Sequence, residues 1–316
     1  MSIEKVAVIG AGTMGHALAL VHTLGGCRVM LHDASAEVLA GAPALIATAS
    51  DTLCEAGTIS TYVAEAARNR VLRADAIEQA VANADLIVEA VVEKAEVKRA
   101  VFGEIDRFAP ASAIIASNTS YLDIFPLIPS SRQENAAIAH WYSPPYIVDL
   151  VDIAPGPSTA PRIIEALRAL YAGFGKAPLV FDRLVPGYIA NRLQAALNLE
   201  CLRMIDEGWA SAADIDFSIR HGLVDRLALL GHMRKMDYTG LEMIRNGLAA
   251  RTYQPPENTG HSPSLARLIE EGRTGVRTGK GFYDYGEEPV EELLRRRDLG
   301  LLRLKAMISG ITGGQE

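Results

Sequence analysis

The chain has 316 residues, too many for one small core, and suits two domains. Hydrophobic residues make up 49% and charged residues 22%, an ordinary globular balance, and a formal charge of −7 with no Lys/Arg block argues against a nucleic-acid surface. No apolar leader follows Met1, no apolar run reaches the roughly 18 residues that span a bilayer, and three scattered cysteines (Cys27, Cys54, Cys201) read as buried small hydrophobes in a reducing compartment, so a cytoplasmic location is expected.

KVAVIG (5–10) is a short apolar β run, and AGTMGHALALVHTLGG reads as a helix ending at Gly25-Gly26. CRVMLHD (27–33) is the next strand, followed by a helix from Ala36 to Glu55. ADLIVEAVV (84–92) and SAIIASN (112–118) are further strands, rich in Ile, Val and Ala as a sheet covered on both faces requires. Then AIAHWY and DLVDIAP flank a Ser-Pro-Pro turn, and APLVFD (177–182) is the last strand expected. This alternation predicts a doubly wound α/β domain of the Rossmann type.

From Pro186-Gly187 the period becomes helical and holds until Gly208, with Pro at the helix start. SAADIDFSIRHG with its Ser cap, the 227–248 stretch, SPSLARLIEEG and EEPVEELLRRRDLGLLRLKAMI continue in helix. A boundary near residue 184 therefore separates a dinucleotide-binding domain (1–184) from an all-helical domain (185–316), whose terminal GITGGQE is expected to be mobile.

Gly10, Gly12 and Gly15, with Thr13 and Met14 between the last two, form GxGxxG between a strand and a helix. Glycine permits the tight turn and lets backbone N–H groups approach a pyrophosphate at the positive helix end. Asp33 ends the second strand, 23 residues after Gly10, where a carboxylate accepts from the adenosine ribose and repels a 2′-phosphate. With no Arg beside it, NAD is expected rather than NADP; no metal is called for. Asn118, Thr119 and Ser120 end a strand at the carboxyl edge where such folds bind ligands, and suit helix capping equally well. Glu93 and Lys98 read by spacing as solvated charges at a helix start.

His140 and Asp152 lie on the two strands flanking the Ser-Pro-Pro turn, a geometry that returns a carboxylate to an imidazole. A His held by an acid is suited to taking a proton from an alcohol.

Taken in order, GAGTMG, VEAVVEKAEVK, SNTS, HWYSPP…LVDI, PGYIANRL and RTGKGFYDY resemble the 3-hydroxyacyl-CoA dehydrogenase family from about residue 4 to 285. The resemblance implies a general base at His140, an orienting acid at Asp152, and a polar pair, Ser120 and Asn191, on the substrate oxygen. It also implies cofactor contacts from Glu93, Lys98, Asn118, Ser120, Ser143 and Arg277, and a homodimer through the helical domain.

Three departures bear on the substrate. Asp152 stands where the family usually has Glu, and Ser143 where it usually has Asn. Residues 34–67 contain no Lys, Arg or His but do contain Glu37, Asp51, Glu55 and Glu65, a poor host for the anionic tail of CoA. The chain is also similar to the branch containing lambda-crystallin/gulonate 3-dehydrogenase and carnitine dehydrogenase, which implies a small free 3-hydroxy acid. Arg226 would then hold the carboxylate, with His232 and Arg234 as lesser candidates. The alternatives are 3-hydroxyacyl-CoA oxidation and a catalytically idle, crystallin-like NADH-binding protein. A beta-hydroxyacid dehydrogenase is disfavoured, because Asn191-Arg192 stands where that group has its Lys helix.

Overall fold

Short runs of Val, Ile, Leu and Ala with no polar alternation suit strands covered on both sides, and the sheet of the first unit is built from them. A computed structural model describes residues 2–312, so the last four residues of the terminal tail lie outside the described residues. Two units separate between Ile189 and Ala190.

The first unit runs β1 (Lys5–Ile9), α1 (Gly15–Leu24), β2 (Arg28–His32), α2 (Ala36–Glu55), α3 (Thr61–Arg68), β3 (Val71–Arg73), α4 (Ile77–Val81), β4 (Leu86–Glu89), α5 (Ala95–Phe108), β5 (Ile114–Ser117), β6 (Ala136–Trp141), β7 (Leu150–Pro155), α6 (Pro161–Gly173) and β8 (Ala177–Val180). The eight strands form one sheet in the order β3-β2-β1-β4-β5-β6-β7-β8. β6 and β7 pair antiparallel and every other pair is parallel. The chain reverses at β1, running outward through β2 and β3 and then back through β4, which leaves a crevice at the strands' carboxyl ends.

The strand β3 carries no long apolar run and was not expected from sequence; it forms because Val71–Arg73 lies beside β2 at the sheet edge. Of the cysteines, only Cys27 is buried; Cys54 and Cys201 are half-buried, and all three are free.

The second unit comprises α7 (Ala190–Asp206), α8 (Ala212–Ile219), a π-helical turn at Arg220–Val224, α9 (Asp225–Thr239), α10 (Leu241–Ala250), α11 (Pro263–Glu270) and α12 (Val290–Thr312). Ser211 and Ser262 cap α8 and α11, each accepting from a backbone N–H three residues on. The expected continuous helix over 227–248 is broken twice, because Gly231 and Gly240 take positive φ. The expected helix start at Pro186 is also displaced. Gly187 and Tyr188 are left-handed (φ 78° and 49°), so the helix begins at Ala190. No described helix is long and apolar enough to cross a membrane.

Behind β6, His22 of α1 is fully buried among Trp141, Tyr171 and Phe174, with Nδ1–H donating to the Leu18 carbonyl at 2.8 Å. Burial disfavours the imidazolium and lowers its pKa from 6.5 to about 4, against the opposing pull of that carbonyl. The unfolded chain binds this proton first, so the neutral ring stabilises the fold above pH 6.5, and that contribution disappears as pH falls towards 4. It amounts to about 3 kcal/mol. Urea unfolding at pH 7 and pH 4 should therefore show a smaller acid loss, by about that amount, in His22→Leu than in the parent. Equal losses would contradict this.

Candidate active site

Gly10 sits at φ 99°, and a Cβ there would lie 2.6 Å from the Ala90 carbonyl oxygen. At Gly15 a Cβ would come within 1.6 Å of the Gly10 oxygen, so both positions admit only hydrogen. Gly12 differs: a Cβ there meets no protein atom within 4 Å, which leaves its outer face open. The α1 N-terminus it adjoins has no side-chain cap and no acid in its first turn. Exposed Thr13 and half-buried Met14 complete the loop. Asp33 closes it, accepting from Ala11 N–H at 2.7 Å and Ser35 N–H at 2.8 Å. An open glycine, uncapped N–H groups and a carboxylate at the end of β2 fit a dinucleotide pyrophosphate and ribose.

Glu93 is not a merely solvated charge. One of its oxygens accepts from Thr119 Oγ1 (2.7 Å) and from the N–H groups of Ser120 (2.8 Å) and Tyr121 (3.0 Å), gathering the loop after β5. Burial raises its pKa, but the Thr119 and backbone hydrogen bonds and the Lys98 charge outweigh this and bring it to about 2.

Lys98 is also not presented to a ligand. It is buried, with Nζ 2.7 and 2.9 Å from the two oxygens of buried Glu89 and 3.2 Å from Glu93. Glu89 also accepts from Ser117 Oγ at 2.5 Å. In this position Lys98 joins the ends of β4 and β5 to α5. Sequence reading missed Glu89 and Ser117, although a lone acid in the apolar run 84–92 was the signal. Asn118 caps no helix: its side-chain oxygen accepts from Trp141 N–H at 2.8 Å and ties the end of β5 to β6.

His140 and Asp152 are direct cross-strand partners on β6 and β7, both buried. His140 Nε2 lies 3.2 Å from Ser120 Oγ. Its ring stacks on Tyr188 (centroids 4.6 Å, 24°) and meets Tyr142 edge-on (4.7 Å, 85°). Tyr188 is fixed in turn by donating to the Thr119 carbonyl at 2.7 Å.

Asp152 falls short of the base it was expected to orient. Its Oδ2 is 3.8 Å from Nδ1, beyond hydrogen-bond reach, and accepts instead from Tyr142 O–H at 2.6 Å. Among the described residues, Nδ1 of His140 and Oδ1 of Asp152 have no hydrogen-bond partner. Neither tyrosine was singled out in the sequence. Tyr142 had a signal, lying two residues past His140 just beyond the end of β6; Tyr188, in a left-handed turn, had none.

The remaining candidates lie in the turn after β6 and in the second unit. Ser143 is exposed in the turn after β6. Asn191 is the second residue of α7 and half-buried. Arg226 opens α9, exposed, and donates to the Gly222 carbonyl within the π-helical turn; His232 and Arg234 follow on α9. Arg277 is exposed in a 3₁₀ turn at Val276–Thr278. Among the described residues, no group of three or more His, Cys, Asp or Glu is placed to hold a metal ion.

Fold and cradle define a dinucleotide-binding protein. Residues 5–184 match the 3-hydroxyacyl-CoA dehydrogenase NAD binding domain and residues 187–285 the C-terminal domain of the same enzymes. The chain belongs to the 3-hydroxyacyl-CoA dehydrogenase family and is an NAD-dependent oxidoreductase.

Its relatives include the 5-formyl-3-hydroxy-2-methylpyridine 4-carboxylate 5-dehydrogenase of Mesorhizobium japonicum, 27% identical over 98% of this chain and 99% of that one. Human mitochondrial hydroxyacyl-coenzyme A dehydrogenase is 32% identical over 90% and 91%, and the L-carnitine dehydrogenase of Streptomyces griseus 34% over 76% and 71%. A crystal structure described as that pyridine-carboxylate dehydrogenase, an NAD+-dependent dismutase, superposes with a TM-score of 0.85 at 27% identity, covering 98% of this chain and 99% of that one.

The glycine geometry separates two variants. Gly12→Ala should keep the parent Tm while weakening NADH binding at least about tenfold, a 1.4 kcal/mol loss. Gly15→Ala should lower Tm. Unchanged NADH affinity in folded Gly12→Ala would show that the open face is not the cofactor's.

Proposed function

We propose that this enzyme oxidises the 3-hydroxyl of a small free 3-hydroxy acid to the ketone, with His140 as general base. The observation that carries the reading is the position of His140: Nε2 faces Ser120 Oγ at the carboxyl edge of a dinucleotide-binding sheet. Bound NAD would supply the hydride acceptor, held by Gly10, Gly12, Gly15 and Asp33. Neutral His140 takes the hydroxyl proton on Nε2, and Ser120 donates to the substrate oxygen as carbonyl character develops. Nδ1 then carries the other proton and faces Asp152. At 3.8 Å the carboxylate stabilises the imidazolium by charge, about 4 kcal/mol at an effective dielectric near 20.

Two features support a free acid. No cation lies in residues 34–67, and Arg68, which follows, is spent on α2 through Ser50 Oγ (2.7 Å), the Ala47 carbonyl and Asp51. Two relatives are named for small molecules that are not CoA esters. Arg226 is the candidate for the substrate carboxylate. The second reading, a 3-hydroxyacyl-CoA substrate, is favoured by the similarity to the human enzyme over nine-tenths of the chain. Within the same reading the enzyme is cytoplasmic and a homodimer through the helical unit. α7 has no buried residue and exposes Leu193 and Leu197, an apolar face that suits a second copy.

NADH formation from a panel of free 3-hydroxy acids and their CoA esters, with the parent and His140→Ala, tests both parts. The free acid should be preferred, and His140→Ala should abolish turnover with NADH binding nearly intact. Strong preference for the ester would overturn the substrate assignment, and near-parental turnover of His140→Ala would overturn the base.

A further inference from the structure

The acid beside His140 is one methylene too short to reach it, and a phenol occupies the oxygen that faces it. Asp152 is buried at the centre of β7, where a carboxylate without donors is costly. Its one hydrogen bond is from Tyr142, 2.6 Å from Oδ2, the short distance of an O–H donating to a charged acceptor. That same Oδ2 is the atom 3.8 Å from Nδ1. Tyr142 also sets its ring edge-on against the imidazole, so one side chain touches both members of the pair.

We propose that Tyr142 is a positioning residue: its hydroxyl holds Asp152 away from His140 and disperses the carboxylate's charge, and so sets the basicity of the base. The inference rests on the reading of His140 as that base. In the parent, the phenol and the imidazolium compete for one oxygen. Removing the hydroxyl leaves the carboxylate free to turn towards Nδ1 and undiluted in charge, and both effects favour the imidazolium, so the His140 pKa rises. Among the described residues of the first unit, the charged and titratable groups facing this pocket are Asp152 from β7, Tyr142 after β6, Tyr188 after β8, and Glu93 before α5 with Lys98 behind it. Tyr142 donates to Asp152, whereas Tyr188 donates to the Thr119 carbonyl and Lys98 to Glu89.

The extra methylene of Asp152→Glu should let the acid reach Nδ1 directly, after which Tyr142 matters little. This separates positioning from packing, since a ring that only packs would act equally beside Asp or Glu.

The test is an NMR pH titration of the His140 ring in full-length protein labelled with ¹⁵N-histidine, the signal assigned by its loss in His140→Gln. Tyr142→Phe should raise the His140 midpoint by about half a unit or more, and by much less in the Asp152→Glu background. No rise, a fall, or the same rise in both backgrounds would overturn the proposal. Asp152→Glu alone should give Nδ1–H the low-field signal of a hydrogen bond, a readout that stands if Tyr142→Phe does not fold. An unchanged Nδ1–H in Asp152→Glu would also overturn it. These signals report on the ring without turnover, so the proposal can fail while His140 remains the base; loss of the base assignment would show instead in undiminished turnover of His140→Ala.

Discussion

The register of β6 against β7 is the constraint on which the site depends. These strands pair antiparallel, His140 directly opposite Asp152, and a slip of one residue would send one of the two side chains to the other face of the sheet. That other face is already filled: Trp141, the next residue along β6, packs there with His22 and Tyr171 in a buried aromatic layer. The aromatic core behind the sheet thus holds the polar pair in front of it. Trp141 N–H, bound to the Asn118 side chain, adds a second tether between β6 and the neighbouring strand end.

A similar economy governs the carboxyl ends of β4 and β5. Glu89, Lys98 and Ser117 form a buried, fully engaged polar group, and Glu93 reaches from the edge of it to gather the backbone of residues 119–121. Buried charges survive only when paired and hydrogen-bonded, and here the pairing rigidifies the loop that presents Ser120 to His140. Tyr188, stacked on the imidazole from a left-handed turn, completes the enclosure. Such a backbone conformation in a bulky residue costs energy and persists only where its surroundings hold it; here the Thr119 carbonyl and the His140 ring do so.

The parts of this arrangement that follow from local rules were legible in the sequence. Unbroken Val/Ile runs, the glycine spacing and the acid at Asp33 depend on backbone sterics and sheet burial, and the strands, cradle and antiparallel pair stand where those rules put them. Contacts decided by a single bond length or by tertiary company were not. Whether Asp152 touches His140 turns on one methylene, and the two-residue spacing that puts Tyr142 near His140 does not reveal that its hydroxyl takes the carboxylate. Lys98 looked solvated because its partner Glu89 lies nine residues earlier on a strand, out of phase with any helical pairing rule. The helix start at Pro186 failed because proline at a helix N-terminus and proline before a left-handed turn share the same first residues.

The central claim is that Asp152 acts on His140 through its charge across a gap, with Tyr142 holding the carboxylate, and not through a direct hydrogen bond. A high-resolution crystal structure of the NADH complex measures this most directly. The account predicts that Nδ1 and the nearer Asp152 oxygen stay farther apart than about 3.5 Å, with Tyr142 O–H on Oδ2. A Nδ1–carboxylate distance of about 2.8 Å with the phenol turned away would contradict it.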